Sequence, residues 1–278
     1  MLSVQQISEF ESNGYLMIPQ LLSPNEVIKL ADEARHILAR AGSATSSANE
    51  KQPQLHNILS ADAAATAPVN GRLSLHVEHI FRHSSQFHRL IRDSRVTRSV
   101  QNLYGPNLRL LDDQLYWKPA SVGGSTYIHR DSDFFGPLRM ATVWLPLCDV
   151  AQDNGCLWAI PRSHQHDKPL SGLSRRTEPP TGVPPDQRPF DFFYKVDLTK
   201  ALFVPLPMRA GDALVLHRDV IHCSFDVRST RERLSYLIEY FVAEDYDRFR
   251  NSCSGLFDYH ERWRYMEPIQ SSGEREQL

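Results

Sequence analysis

Short runs of β-forming residues dominate the chain from Gly105 to Phe241. Eight such runs follow one another, separated by glycine, proline and aspartate: LRLLDDQLYWK, TYIHRD, RMATVWLPL, CLWAI, ALFVPLPM, ALVLH, VIHCSF and RLSYLIEYF. Prolines within and beside these runs suit short strands that end in stiff corners. Short strands at short intervals are typical of a sandwich or barrel. The sequence therefore predicts a mainly β fold with flanking helices.

The N-terminal part of the chain is predicted to be helical. Ser23, Pro24 and Glu26 carry the start signals of a helix, namely an N-cap hydroxyl, a proline at the first helical position and the acidic partner of a capping box. Apolar residues then recur at helical spacing up to Gly42, and shorter helical patterns cover about 84–92 and 94–104. We expect a single domain over 1–278, with a helical region (about 1–105), a β core (about 106–245) and a C-terminal appendage (about 246–278).

The composition argues against several classes of protein. The 278 residues carry 31 Lys and Arg against 33 Asp and Glu, and a net charge of −2 offers no long-range field to gather nucleic acid. Four cysteines form no CxxC pair and no dense framework, which disfavours a zinc ribbon or a disulfide scaffold. No signal peptide and no run of about 18 apolar residues is visible. We expect a cytoplasmic protein without nucleic-acid or membrane partners, and the sequence leaves open whether it is a monomer or a homodimer.

Three residues form a candidate metal site. His129 and Asp131 stand two apart in TYIHRDSDF, and residues i and i+2 of a strand project from the same face. His222 follows the buried run ALVLH and the Gly211-Asp212 turn, so its side chain would return across a sheet toward His129. A His-x-Asp pair alone is common by chance, and its plain alternative is a strand end that satisfies turn amides. Two imidazoles and one carboxylate together are typical of a non-haem Fe(II) site with open positions for a cosubstrate and dioxygen, whereas zinc usually closes its shell tetrahedrally.

Arg233 begins the run RLSYLIEYF, eleven residues after His222. A guanidinium at the edge of an apolar run can hold a carboxylate through two hydrogen bonds. The alternative is a surface arginine that pairs with Glu232 or Glu239. The joint occurrence of the arginine with the three candidate ligands favours the binding site.

These residues resemble the phytanoyl-CoA dioxygenase family of Fe(II)- and 2-oxoglutarate-dependent oxygenases. The family pattern has a His-x-Asp pair, a distal histidine after a Gly-Asp-led strand and an arginine eleven positions further on, and this chain matches each part. The stretches NGYLMIPQLLSPNEV, KPASVGGSTYIHRD and NGCLWAIPRSH are similar to family segments. The resemblance runs from about Gly14 to about Phe241. Arg162 replaces a usual glycine, and Arg130 stands where relatives often carry glutamine.

The resemblance implies a fold, a cofactor and residue roles. The implied fold is a double-stranded β-helix, a cupin-like jelly roll with the metal between its two sheets. Three residues would hold Fe(II): His129, Asp131 and His222. Three would bind the cosubstrate 2-oxoglutarate, the first two of them at its far carboxylate: Arg233, Ser224 and Thr126. Because the metal carboxylate is retained, dioxygen would be used for oxygenation, by default hydroxylation of an unactivated C–H bond in a small specialised metabolite, although desaturation and ring formation stay open.

Other features complete the predicted site. Five residues are candidates for the substrate pocket: Phe134, Phe135, Arg139, Trp144 and Trp158. The alternatives are ordinary core packing for the tryptophans and a strand-edge salt bridge for the arginine. Two stretches without periodicity, 42–70 and 165–189, are predicted to be mobile loops, and we expect both to close over the pocket when substrate binds, the second as a lid. Several side chains are predicted to lie off the site: Cys223 as a small hydrophobe on the opposite face, His217 facing away from the triad, and His76, His79, His83 and His88 on a solvated surface.

Three other functions remain open from the sequence. A fatty acyl-CoA 2-hydroxylase of the phytanoyl-CoA type would need basic residues for the CoA phosphates, and only Lys168, Arg175 and Arg176 suggest such a cluster. A catalytically silent binding module on the same fold would predict a broken triad or a missing arginine. A zinc hydrolase would leave Arg233 without a carboxylate to bind.

Overall fold

The computed structural model describes residues 1–43, 53–58, 68, 70–135, 138–165, 170–175, 194–245 and 268–269. Most of the two predicted loops and nearly all of the predicted C-terminal appendage lie outside these residues, as do Lys168 and Arg176. Within the described part, no helix combines the length and the apolar character needed to cross a membrane.

Helices precede and flank the β region. They are α1 (Val4–Asn13), α2 (Pro24–Ser43), α3 (Ser85–Leu90), α4 (Ser94–Tyr104) and α5 (Ser132–Phe135). The capping box before α2 is formed, because the Ser23 N–H donates to Glu26 Oε2 at 2.8 Å and the Glu26 N–H donates to Ser23 Oγ at 3.4 Å. The predictions of α2, α3 and α4 are confirmed.

Each of the eight predicted runs contains a strand. The strands are β1 (Tyr15–Ile18), β2 (His56–Asn57), β3 (Leu75–Glu78), β4 (Leu108–Lys118), β5 (Thr126–His129), β6 (Met140–Pro146), β7 (Leu157–Ala159), β8 (Leu173–Arg175), β9 (Tyr194–Val196), β10 (Val204–Leu206), β11 (Ala213–His217), β12 (His222–Ser224), β13 (Arg233–Val242) and β14 (Pro268–Ile269).

The strands form two facing antiparallel sheets and a separate hairpin. The larger sheet has the order β1-β11-β6-β13-β4-β3-β2, with β14 also paired to β4. The smaller sheet has the order β10-β7-β12-β5, and β8 pairs with β9. This is the mainly β sandwich that the sequence predicts.

Alternation along the strands gives the larger sheet two different faces. On the outer face, Val143 and Ile238 belong to one apolar core with helix residues such as Ile37. On the inner face, Trp144 and Leu237 pack with Leu157 of the smaller sheet. Odd-numbered residues of β6 and even-numbered residues of β13 therefore face the helices, and the alternate residues of each strand face the space between the sheets.

Candidate metal centre and cosubstrate site

The structure brings His129, Asp131 and His222 together between the two sheets. His129 and His222 are directly opposite each other across β5 and β12. Asp131 Oδ1 lies 3.7 Å from His129 Nε2 and 3.6 Å from His222 Nε2. One donor atom of each residue thus lies within 4.8 Å of the others, a spacing that could hold a single metal ion.

Backbone carbonyls fix both imidazoles for metal binding. His129 Nδ1 lies 2.8 Å from the Tyr127 carbonyl oxygen, and His222 Nδ1 lies 3.1 Å from that of Val220. A carbonyl only accepts, so each Nδ1 carries the hydrogen and each Nε2 presents a lone pair. Burial, followed by the nearby His222, lowers the pKa of His129 to about 3, which keeps that ring neutral. The donor set therefore fits a divalent transition metal such as Fe(II).

Thr142 orients the carboxylate of Asp131. The Thr142 hydroxyl donates to Asp131 Oδ2 at 2.5 Å, which leaves Oδ1 to face the two imidazoles. Both side chains are buried. Burial raises the pKa of Asp131, an effect that a bound cation would oppose by stabilising the carboxylate. The sequence analysis did not identify Thr142, because the contact depends on how β6 packs against the end of β5.

A β-bulge aligns the cosubstrate residues with the metal residues. β12 pairs His222 with His129 and Ser224 with Thr126, so one intervening residue on β12 faces two intervening residues on β5. In a regular strand, residues 126 and 129 would point to opposite faces, and the extra residue of the bulge removes that conflict. Thr126 Oγ1 lies 2.9 Å from Ser224 Oγ and accepts the Ser224 N–H at 2.8 Å.

Arg233 faces the same interior. Its Nη1 donates to Ser224 Oγ at 3.1 Å and to the Gly155 carbonyl oxygen at 3.2 Å. Its guanidinium carbon lies 5.9 Å from the centre of the Trp144 ring. The residue is only 2% exposed, and its Nε has no hydrogen-bond partner among the described residues. The alternative of a surface ion pair is wrong, because Glu232 points away and pairs with Arg35.

The predicted pocket residues fall into two groups. Phe134 lies against the candidate ligand His129, with ring centres 5.2 Å apart. Phe135 packs in an apolar cluster with Met140 and Phe241. Trp144 lies on the inner face beneath Arg233 and so borders the predicted cosubstrate position.

Two predicted pocket residues lie elsewhere. Trp158 is opposite Cys223 in the pairing of β7 with β12, and it packs against Phe225 on the outer face of the smaller sheet. Cys223 is buried on that face as predicted, and burial raises its thiol pKa. The Arg139 side chain is about half exposed and pairs with Asp245 at 2.9 Å. Of the two interpretations of Arg139, the structure therefore agrees with the salt bridge and not with the substrate pocket.

Histidines outside the triad only partly follow the sequence analysis. His217 packs against Phe10 and His164, away from the triad. The prediction of a solvated surface is wrong for His76 and His79, whose side chains are 16% and 18% exposed. The reason is that residues 75–78 form a strand against β4, and His79, which follows it, lies 3.0 Å from the Asp112 carboxylate.

Arg162, which replaces the glycine of the family pattern, lies at a strained backbone position. The residue adopts φ 68°, in the left-handed region that favours glycine. A side chain there is strained by about 1 kcal/mol, because its Cβ approaches the following carbonyl oxygen. The usual glycine at this position in the family pattern therefore has a backbone reason.

Asp133 connects the metal region to the hairpin of β8 and β9. Its carboxylate forms an ion pair with Arg175 at 2.7 Å and accepts a hydrogen bond from the Tyr194 hydroxyl at 3.3 Å. The same carboxylate accepts the backbone N–H of Arg130 at 2.9 Å. Arg175, which lies within the predicted lid segment 165–189, thereby contacts the residue two positions beyond Asp131.

Comparison with known proteins agrees with this geometry. The family model described as phytanoyl-CoA dioxygenase matches residues 10–235. The chain is 27% identical over 274 residues to phytanoyl-CoA dioxygenase domain-containing protein 1 of Danio rerio, covering 88% of this chain and 91% of that protein. It is also 27% identical over 259 residues to phytanoyl-CoA dioxygenase of Arabidopsis thaliana, covering 84% and 87%.

Solved structures show the same fold. The epimerase SnoN in complex with Fe3+, alpha ketoglutarate and nogalamycin RO superposes with a TM-score of 0.62, covering 86% of this chain and 83% of that one at 23% identity. The predicted jelly-roll core is thereby confirmed. Since the family model spans most of the sequence, the chain belongs to the phytanoyl-CoA dioxygenase family of Fe(II)- and 2-oxoglutarate-dependent oxygenases.

Proposed function

We propose that this enzyme hydroxylates an unactivated C–H bond of a small, free specialised metabolite, with Fe(II) held by His129, Asp131 and His222. The observation that carries the proposal is the adjacency of two sites on β5 and β12. The two candidate histidine ligands, His129 and His222, occupy one register position of this strand pair, and Ser224 and Thr126 occupy the next. A diacid cosubstrate held at its far end by Arg233 and Ser224 would reach the metal with its other end.

The residues of the chain position the cosubstrate and the metal ligands, and they limit the access of water to the site. Bound Fe(II) supplies the reduction of dioxygen coupled to decarboxylation of 2-oxoglutarate. Arg233 and Ser224 orient the cosubstrate, and Thr142 holds Asp131 in place. Phe134 covers His129 with an apolar ring, which limits access of water to that side.

The inner face beyond the cosubstrate site favours a polar substrate over a fatty acyl chain. Tyr116 and Gln114 alternate with the outward Leu115 and so share the face of Lys118 on β4. β3 places His76 beside Tyr116 and Glu78 beside Gln114. A long hydrocarbon chain would need an apolar wall, whereas this one offers hydrogen-bonding groups. SnoN, with nogalamycin RO bound on the same fold, supports a specialised metabolite.

Anaerobic titration tests the proposal. Addition of 2-oxoglutarate to the Fe(II)-loaded protein should produce the weak visible charge-transfer band of the chelate. His129→Ala and Asp131→Ala should each abolish the band and iron-dependent succinate formation, while circular dichroism shows an intact β fold. Full activity in either variant would contradict the assignment of the metal ligands.

A further inference from the structure

Lys118 lies beside Arg233 at the cosubstrate end of the inner face. The two residues are directly opposite in the pairing of β4 with β13. Lys118 is 0% exposed, and its Nζ lies 2.6 Å from Ser224 Oγ, the atom to which Arg233 also donates at 3.1 Å. Two basic groups therefore converge on one hydroxyl oxygen.

The surrounding backbone is shaped to hold the lysine. A Cβ added to Gly123 would lie 2.7 Å from Lys118 Cβ, and one added to Gly155 would lie 3.5 Å from Lys118 Cδ. The carbonyl oxygens of Ser224 and Phe225 lie 3.4 and 3.3 Å from Nζ. The lysine thus has a fixed position, with its amine aimed at Ser224.

Complete burial and the neighbouring Arg233 disfavour a second cation at this position in the absence of ligand, whereas the other nearby titratable groups oppose that effect. Arg233 faces it from β13, Cys223 from β12, Asp226 from the segment after β12, and Cys156 from the segment before β7. Asp226 accepts hydrogen bonds from the backbone N–H and hydroxyl of Ser125 and pairs with Arg72, which takes up much of its charge. Burial, followed by Arg233, lowers the pKa of Lys118 well below its usual range.

We propose that Lys118 is a proton switch of the cosubstrate site: its amine is neutral while the site is empty and takes up one proton from solvent when the far carboxylate of 2-oxoglutarate binds. This inference rests on the proposed function. In the neutral state the Ser224 hydroxyl donates to the amine. Once protonated, Lys118 donates to Ser224 Oγ instead, and the Ser224 hydrogen is released to turn toward the carboxylate. Lys118 is therefore a positioning residue that acts through Ser224.

Calorimetry measures the proton directly. 2-Oxoglutarate is titrated into the Mn(II)-loaded full-length protein in two buffers with very different enthalpies of ionisation, phosphate and Tris. The wild type should take up about one proton per cosubstrate at a pH above the empty-site pKa of Lys118. Lys118→Met should remove this uptake and weaken binding about tenfold or more. Lys200→Met, which changes an exposed lysine paired with Asp197, should behave like the wild type.

A second measurement keeps the inference testable should Lys118→Met fail to fold. In the wild type alone, the dissociation constant of 2-oxoglutarate should rise about tenfold per pH unit above the empty-site pKa, because one proton is bound with the ligand. Binding without net proton uptake between about pH 7 and 9.5 would overturn the inference, as would wild-type uptake in Lys118→Met. Absence of both binding heat and the Fe(II) charge-transfer band would instead contradict the proposed function.

Discussion

Replacing Thr142 with valine removes one hydroxyl group from behind the metal site and leaves a side chain of nearly the same shape. The Thr142 hydroxyl donates to Asp131 Oδ2 at 2.5 Å, and Thr142 is only 1% exposed. A hydrogen bond to a charged partner is worth about 1.5 to 3 kcal/mol, or about a ten- to hundredfold change in a binding constant. Since this bond holds Oδ1 toward the two imidazoles, Thr142→Val should weaken metal binding by about that factor.

Anaerobic titration with Mn(II), followed by the loss of the free-ion electron paramagnetic resonance signal, measures the effect. Thr142→Ser restores a hydroxyl and should recover most of the affinity. Thr97→Val is the matched control, because Thr97 is also buried and its hydroxyl donates at 3.2 Å to the carbonyl oxygen of Asp93, the N-cap residue of α4, outside the site. A folded Thr142→Val variant with wild-type metal affinity would refute the role assigned to this hydroxyl.

Three further changes test other parts of the structure. Arg233→Lys keeps a positive charge but loses the planar guanidinium, so half-saturation should need about ten- to hundredfold more 2-oxoglutarate while the affinity for Fe(II) is unchanged. An unchanged 2-oxoglutarate dependence would assign the arginine a structural role. Gly123→Ala should lower the free energy of unfolding by about 1 to 3 kcal/mol in urea denaturation, because its Cβ would lie 2.6 Å from Val227, whereas Gly42→Ala in α2 should not destabilise. Burial raises the pKa of Asp113 from 3.8 to about 7, so its protonated form stabilises the fold, and this contribution is lost progressively as the pH rises from about 4 through about 7. Asp113→Asn should therefore lose less stability than the wild type between about pH 4 and 8, and identical pH profiles would contradict the raised pKa.

The strands and the candidate triad could be predicted because both follow from local patterns. Each run of β-forming residues bounded by glycine or proline contains a strand, since those boundaries end the extended backbone. His129 and Asp131 stand two apart, and the Gly211-Asp212 turn reverses the chain before His222. Spacing along the chain therefore carried enough information to bring these three residues together.

Residues whose roles depend on non-local register could not be predicted. Trp158 is one residue from Ala159, and only the pairing of Ala159 with His222 shows that the tryptophan lies on the outer face. A shift of one residue in that register would have turned it inward. The contact of Thr142 with Asp131 likewise depends on how two strands from different sheets approach each other.

The pairing that builds the larger sheet also separates charge along its inner face. β4 and β13 place Lys118 opposite Arg233 near one end and Asp112 opposite Glu239 further along. Like charges directly opposite each other destabilise a strand pair, and burial increases that cost. The outer face offsets it, because alternate residues of the same strands, such as Ile238, pack in the apolar core with the helices. A sheet that gives up stability on the face turned toward the candidate metal and cosubstrate site, and recovers it on the other face, is what selection for binding at that site would produce.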